Sequence, residues 1–411
     1  MDFKRLTDRT SALRCKKGDA MDWKSAKGKE GGSVEIPKRW LLLHYYEALN
    51  ILFRMENALR VFVYVVLKNR YGEKWTETAL QTVDEEQSTI AAVASKRVAQ
   101  AKGYGYLGYE VSSPLMYLNS GELTRIITSD TYWDLFKPHF RGKREIIKTK
   151  LDEIGTVRNS LAHFRPVKHD DIELIKQNVN HVFVGIEQYL VEMTQADRVV
   201  PTNTEAEWYR NLSSIGSSTC KVRLFQDRSD RWIRVEVDYA SAILQTSNGV
   251  QFRSFQVTNL TSPQIVESFP KLFAFVTFMT EYVPHVRMSA DIVPRFGKQV
   301  SLIFSKAILV AAHAEVGNLL KELLTKIDTE TELIQQDNLA RGHVVDSVSA
   351  WSFVQNDVWS TSTTNMKNEF RNSDPPEYWG DMSSYRGDFI AGATKYPWMP
   401  SDISSEEDFV F

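Results

Sequence analysis

Residues 157–166, VRNSLAHFRP, bring an arginine, an asparagine and a histidine close together and end on a proline. On a helix Asn159 and His163 lie four apart, about 40° from each other around the axis, and so share a face. Arg158 sits about 140° from His163, but its long side chain can swing to the edge of that face. Pro166 puts the group at a helix C-terminus, where the partial negative charge favours cations. A guanidinium can clamp a phosphate through two parallel hydrogen bonds, and an imidazole can move a proton at neutral pH. The three side chains therefore suit work on a phosphodiester. They suit equally a cationic helix cap in which Asn159 and His163 satisfy nearby carbonyls. Spacing does not decide, because Arg39–His44 in RWLLLH has the same separation. There a tryptophan follows the arginine, at the entry of a long helix, and His44 reads as structural.

The elements that must position the group come from the hydrophobic pattern. Leu42, Tyr45, Leu49, Leu52, Leu59, Phe62 and Val66 recur at three- and four-residue steps, predicting one long helix from Trp40 that NRYGEKW ends. Glu56 lies within its apolar face with Arg60 one turn on, and the pair reads as a buried ion pair holding the bundle. A second helix is predicted over about Thr82–Lys102. A loop, GYGYLGYEVSSPL, follows, and Ser113–Pro114 suits a helix start. Ile146, Ile147, Leu151, Ile154, Val157 and Leu161 form the stripe of the helix carrying Arg158. Asp170 with Glu173 reads as the capping pair of one further helix reaching about Met193.

Residues 34–195 are thus an all-helical domain. Residues 1–33, rich in Lys, Gly and Ser, read as a mobile basic arm. Short β-type runs (CKVRLFQ, RWIRVEVDY, VQFRSFQVT) then alternate with turns, and apolar helices are predicted near Pro263–Tyr282 and Gln299–Ile327. These make residues 205–327 a small α/β domain. Residues 328–411 hold 15 acidic and 5 basic residues with scattered aromatics, an extended acidic tail suited to binding elsewhere on the molecule or to a partner. The expected fold is mainly α with a second α+β part.

Composition narrows the function classes. Hydrophobic content of 43% and 25% charged residues are globular values, and the net charge is −2. Two cysteines, Cys15 and Cys220, exclude a disulfide framework and fit a reducing compartment. No apolar signal segment or bilayer-spanning run is apparent, so a cytoplasmic protein with no membrane association is expected. His163, His169 and His181 lack zinc-ligand spacing, and there is no P-loop, dinucleotide turn or nucleophile elbow; no metal and no cofactor are expected. Arg165 and the run KPHFRGKREIIKTK, with Lys143 and Arg144, either track an RNA backbone or form a solvated face.

LHYYEALNILFRMENALRVFVYVVL, SPLMYLNSGELTRII, WDLFKPHF and LDEIGTVRNSLAHFRPV, in this order, resemble a HEPN domain (higher eukaryotes and prokaryotes nucleotide-binding) of the type in bacterial abortive-infection and RNA-surveillance proteins. The resemblance covers about residues 40–195. It implies a helical bundle that forms a homodimer and acts as a metal-independent endoribonuclease. The family's motif, Arg-polar-x3-His, falls on Arg158, Asn159 and His163. It also implies an alternative for Glu56, an acidic residue of the first helix that faces the site and orients Arg158 or His163. The alternative is a non-catalytic HEPN dimerisation module that engages a protein or nucleic-acid partner. HEPN proteins paired with nucleotidyltransferase antitoxins carry a tyrosine two residues after the histidine; Arg165 stands there in this chain.

Overall fold

The computed structural model describes residues 27–28, 34–35, 43–81, 87–104, 114–163, 165, 167–196, 199–240, 242–247, 251–258, 260–282, 296–335, 343–355, 358–367 and 377. Within the basic arm and just after it, β1 (Lys27–Gly28) pairs antiparallel with β2 (Val34–Glu35). The helical part then contains α1 (Leu43–Tyr71), a hairpin of β3 (Ala79–Gln81) and β4 (Gln87–Thr89), α2 (Ile90–Tyr104), α3 (Ser120–Thr128), the single turn α4 (Trp133–Phe136), α5 (Arg144–Ala162), α6 (His169–Val182) and α7 (Val184–Thr194).

α1 is the axis of this bundle. Leu52, Leu59, Phe62 and Val66 are buried as the pattern requires, whereas Leu49 is 47% exposed, because it lies at the edge of the stripe, one residue round the helix from fully buried Ala48. On α5 the buried stripe is Ile147, Leu151, Ile154, Val157 and Leu161; Ile146 falls outside it and is exposed, one residue round the helix from Ile147.

Three predicted elements differ. The second helix begins at Ile90, and the segment before it is the β3–β4 hairpin, tied down by Ala79 N–H to the Tyr132 hydroxyl (2.9 Å). The helix start suggested at Ser113–Pro114 lies later, at NSGE, where Asn119 and Glu122 cap each other reciprocally and start α3. The helix after Pro166 starts at His169, with Asp171 rather than Asp170 and Glu173 accepting the Lys168 N–H (2.8 Å), and it breaks at Phe183. After the break Gly185 lies so close to the His139 carbonyl that an added Cβ would overlap its oxygen.

The second part holds α8 (Glu207–Ser213), β5 (Cys220–Gln226), β6 (Trp232–Ala240), β7 (Ala242–Ser247), β8 (Gln251–Thr258), α9 (Ser262–Ser268), α10 (Pro270–Phe273), β9 (Val276–Tyr282), β10 (Phe296–Ser305) and α11 (Lys306–Gln335). One antiparallel sheet has the order β5-β6-β10-β9, with α8 and α11 packed on it. Two predicted helices are partly strand here. Residues 276–281 and 298–304 are buried on both faces, which erases the alternation that marks a strand. Within the acidic region, β11 (His343–Gln355) and β12 (Val358–Lys367) join β8 and β7 in a second antiparallel sheet. The β5–β6 turn is organised by buried Asp227, whose carboxylate accepts the N–H groups of Ser229 (2.9 Å), Arg231 (2.8 Å) and Trp232 (2.7 Å). Asp230 takes the left-handed conformation that this turn needs (φ 62°). No helix among the described residues is long and apolar enough to cross a membrane.

The two parts share one seam. Trp232, Phe278 and Ile303 belong to the core of the helical part. The Tyr64 hydroxyl donates to the Thr277 carbonyl (2.5 Å), Thr277 donates to the Asn69 side chain (2.6 Å), and Asn69 donates to the Tyr189 hydroxyl (3.3 Å). Glu377 is part of the same seam: its carboxylate pairs with buried Lys68 (2.9 Å) and its carbonyl accepts the Met279 N–H (2.6 Å). Lys68 follows Glu56 by twelve residues, about 18 Å along α1, so this anchor is remote from Arg158.

His139 lies in the seam, 4.2 Å from the Tyr189 ring and 5.2 Å from that of Phe62. Burial, helped by the Arg231 charge, pushes its pKa from 6.5 down to about 4. The unfolded chain therefore takes up this proton near pH 6.5 and the folded chain only near pH 4, so stability falls as the pH drops through that window. Between pH 7 and 4.5 His139 should cost on the order of 2 kcal/mol. In urea titrations at the two pH values, His139→Phe should show a correspondingly smaller loss; an equal loss would assign the acid sensitivity to other groups.

Candidate active site

The candidate site is built where α1, α3 and α5 cross. Leu52, Met55 and Leu59 of α1, Thr124 of α3, and Leu151 and Ile154 of α5 surround a crevice of about 20 Å³. Glu56 and Arg158 close it. Their side chains are 14% and 35% exposed, and Arg158 Nε lies 3.5 Å from Glu56 Oε2. Arg158 also donates through Nη1 to the side-chain oxygen of Asn159 (3.3 Å).

Glu56 in turn is held by Arg60, which donates to its other carboxylate oxygen. Arg60 is buried, and three further N–H groups are used on the Asn57 side chain (2.9 Å) and the carbonyls of Leu115 and Leu118 (both 3.2 Å). Burial lowers its pKa from the usual arginine value, Glu56 raises it, and the neighbouring Arg158 charge lowers it again. The two readings of Glu56 coincide in one geometry, since it pairs with Arg60 on its own helix and reaches Arg158 on another.

α5 ends at Ala162, and His163 is its C-cap, exposed, with its N–H donated to the Asn159 carbonyl (3.2 Å). The Arg165 N–H returns to the Ser160 carbonyl (2.9 Å), folding the chain into a tight corner that leaves Arg165 exposed. Arg158, Asn159, His163 and Arg165 are therefore gathered at one end of α5. Lys143 and Arg144 are at the other end, about 21 Å away along the axis. Arg144 is moreover engaged with Asp130 and with Glu145 (3.6 Å). Arg39 and the side chain of His44 lie outside the described residues. Asn57 escaped the sequence reading; its signal is a polar residue three positions before Arg60 in an otherwise apolar helix. Among the described residues no three His, Cys, Asp or Glu side chains gather into a metal-ligating group.

Residues 50–187 match the family model described as Swt1-like HEPN. This stretch is a Swt1-like HEPN domain. No curated protein and no solved structure matches the chain. HEPN domains are commonly associated with RNA binding and dimerisation, and many are metal-independent ribonucleases. The matched stretch takes in α1 from Asn50, every element through α6 and the start of α7, so Glu56, Arg60, Arg158, Asn159 and His163 all lie in the HEPN domain.

Glu56→Gln tests the cluster. It leaves Arg60 buried without its counter-charge and should lower stability by roughly 2 kcal/mol in denaturant titration. A change within about 0.5 kcal/mol, the range of ordinary surface substitutions, would show that the carbonyls of Leu115 and Leu118 hold Arg60 on their own.

Proposed function

We propose that the HEPN domain is a metal-independent endoribonuclease whose site is the Arg158–Asn159–His163 corner of α5. The observation that carries this reading is the combination of an arginine held by Glu56 and Asn159 with an accessible imidazole on the same helix end. In the reaction an RNA 2′-oxygen attacks the adjacent phosphorus, the bond from phosphorus to the 5′-oxygen breaks, and the 2′-hydroxyl proton leaves as the 5′-oxygen gains one. The products are a 2′,3′-cyclic phosphate and a 5′-hydroxyl. Arg158 stabilises charge on the phosphate, Asn159 positions Arg158, and His163 transfers a proton. Arg165, exposed at the same corner, is placed to contact the RNA backbone; Lys143 and Arg144, at the far end of α5, would meet only a strand that runs along the helix.

One imidazole serves one proton at a time, so a second copy supplying its own His163 completes the acid–base pair. The exposure of His163 and Asn159 in the single chain is consistent with a cleft formed between two HEPN domains. In its biological setting, this reading makes the protein an RNA-cleaving effector or toxin of bacterial antiviral defence.

With total RNA as substrate, Arg158→Ala and His163→Ala should each slow cleavage by about 100-fold or more while the helical circular dichroism signal is kept, because neither side chain is buried. His44→Ala should cleave at the wild-type rate, and a chelator should leave that rate unchanged. Full activity in both site variants, or complete loss with the chelator, would refute the proposal. The intact chain should sediment as two copies at micromolar concentration; a strictly monomeric species that still cleaves RNA would refute the shared cleft.

A further inference from the structure

The seam between the HEPN domain and the sheet holds a lysine that its own domain does not satisfy. Lys68, in the last turn of α1 and inside the matched HEPN stretch, has a side chain only 2% exposed. Among the described residues its ammonium has one hydrogen-bond or ion-pair partner, the Glu377 carboxylate at 2.9 Å. An ammonium buried without an acceptor is strongly disfavoured. The HEPN domain thus draws the counter-charge for this lysine from far outside its own sequence.

Glu377 is held at two points of different kind. Its carboxylate meets Lys68, and its main-chain carbonyl accepts the Met279 N–H (2.6 Å). β9, which carries Met279, is the edge strand in the order β5-β6-β10-β9. Thr277 and Met279 are two apart, so their backbone groups point to the same side of the strand. On that side the Thr277 carbonyl is taken by the Tyr64 hydroxyl of α1 (2.5 Å), and the Met279 N–H is taken by Glu377. A strand edge that reads a main-chain carbonyl, beside a buried cation that reads the carboxylate of the same residue, has the parts needed to recognise an extended acidic peptide. In the sequence Pro375 and Pro376 stand directly before Glu377. Two prolines narrow the conformations of a free peptide and so lower the cost of docking it.

We propose that Lys68 and the Met279 N–H form a peptide-binding site, and that Glu377 marks its built-in occupant, a strap of this chain that docks reversibly and joins the HEPN domain to the sheet. Lys367, the last residue of β12, precedes Glu377 by ten positions. So short a tether keeps the strap at a millimolar effective concentration, which favours the chain's own glutamate over a free peptide. The site lies about 18 Å along α1 from Glu56, and the assignment is independent of RNA cleavage.

The test is an anisotropy titration of the full-length protein with a fluorescently labelled peptide of residues 372–382. The Glu377→Ala chain, whose own strap lacks the carboxylate, should bind this peptide saturably below millimolar concentration. The same peptide carrying Glu377→Ala should bind it at least tenfold more weakly. The wild-type chain, whose site is filled, should also bind the unaltered peptide at least tenfold more weakly. Adding Lys68→Met to the Glu377→Ala chain should abolish the preference between the two peptides. If Glu377→Ala does not fold, Glu377→Gln, which keeps an oxygen acceptor for Lys68, takes its place in the same titrations with the same expected order. Absence of saturable binding at millimolar concentration would mean a fixed structural ion pair and overturn the assignment. Equal binding of the two peptides, or equal binding to the variant and the wild-type chain, would overturn it as well.

Discussion

Arg60 is 9% exposed and keeps its charge, so the protein around it must supply acceptors. It draws them from two places: Glu56 and Asn57 on its own helix, and the carbonyls of Leu115 and Leu118 in the turn before α3. This cluster fixes the approach of α3 to α1 and leaves one carboxylate oxygen of Glu56 directed at α5. Arg158 is accordingly docked before any substrate arrives. Under the proposed reading its guanidinium, 35% exposed, would give up little freedom on meeting a phosphate, as a preorganised site requires. A buried ion pair contributes little net stability against a hydrophobic replacement. Its value here is geometric, in setting where the cation of the next helix can sit.

The second half of the chain is coupled to that arrangement through α1. The same helix that presents Glu56 near its middle presents Tyr64, Lys68 and Asn69 near its end, and these bind Thr277, Glu377 and Tyr189. Trp232, Phe278 and Ile303 complete a core that crosses the boundary. The core of the HEPN domain therefore extends onto the following sheet, which keeps a separate core of its own on its other side. Glu377 adds one residue of the acidic region to this seam, through Lys68 and the Met279 N–H.

Much of this was legible in the residues because helices announce themselves by period. The stripes of α1 and α5, the end of α5 before Pro166 and the grouping of Arg158, Asn159 and His163 all follow from local pattern. What depends on distant contacts was not legible. Glu56 and Arg158 are 102 positions apart, and their pairing follows only from the crossing of two helices. The run QVSLIFS reads as helix because both faces of β10 are covered, by β-sheet neighbours at its edges and by packed side chains above and below. Leu49 and Ile146 have the right residue type at the edge of a buried stripe, and only the placement of neighbouring elements leaves them exposed.

The central claim is that the α5 corner performs transphosphorylation, and the chemistry of the RNA ends tests it most directly. RNA cut by the wild-type protein in the presence of a chelator should carry 2′,3′-cyclic phosphates and 5′-hydroxyls, and such ends should be absent with His163→Ala. Products bearing 3′-hydroxyls and 5′-phosphates, or cyclic ends formed equally by the His163→Ala protein, would contradict it.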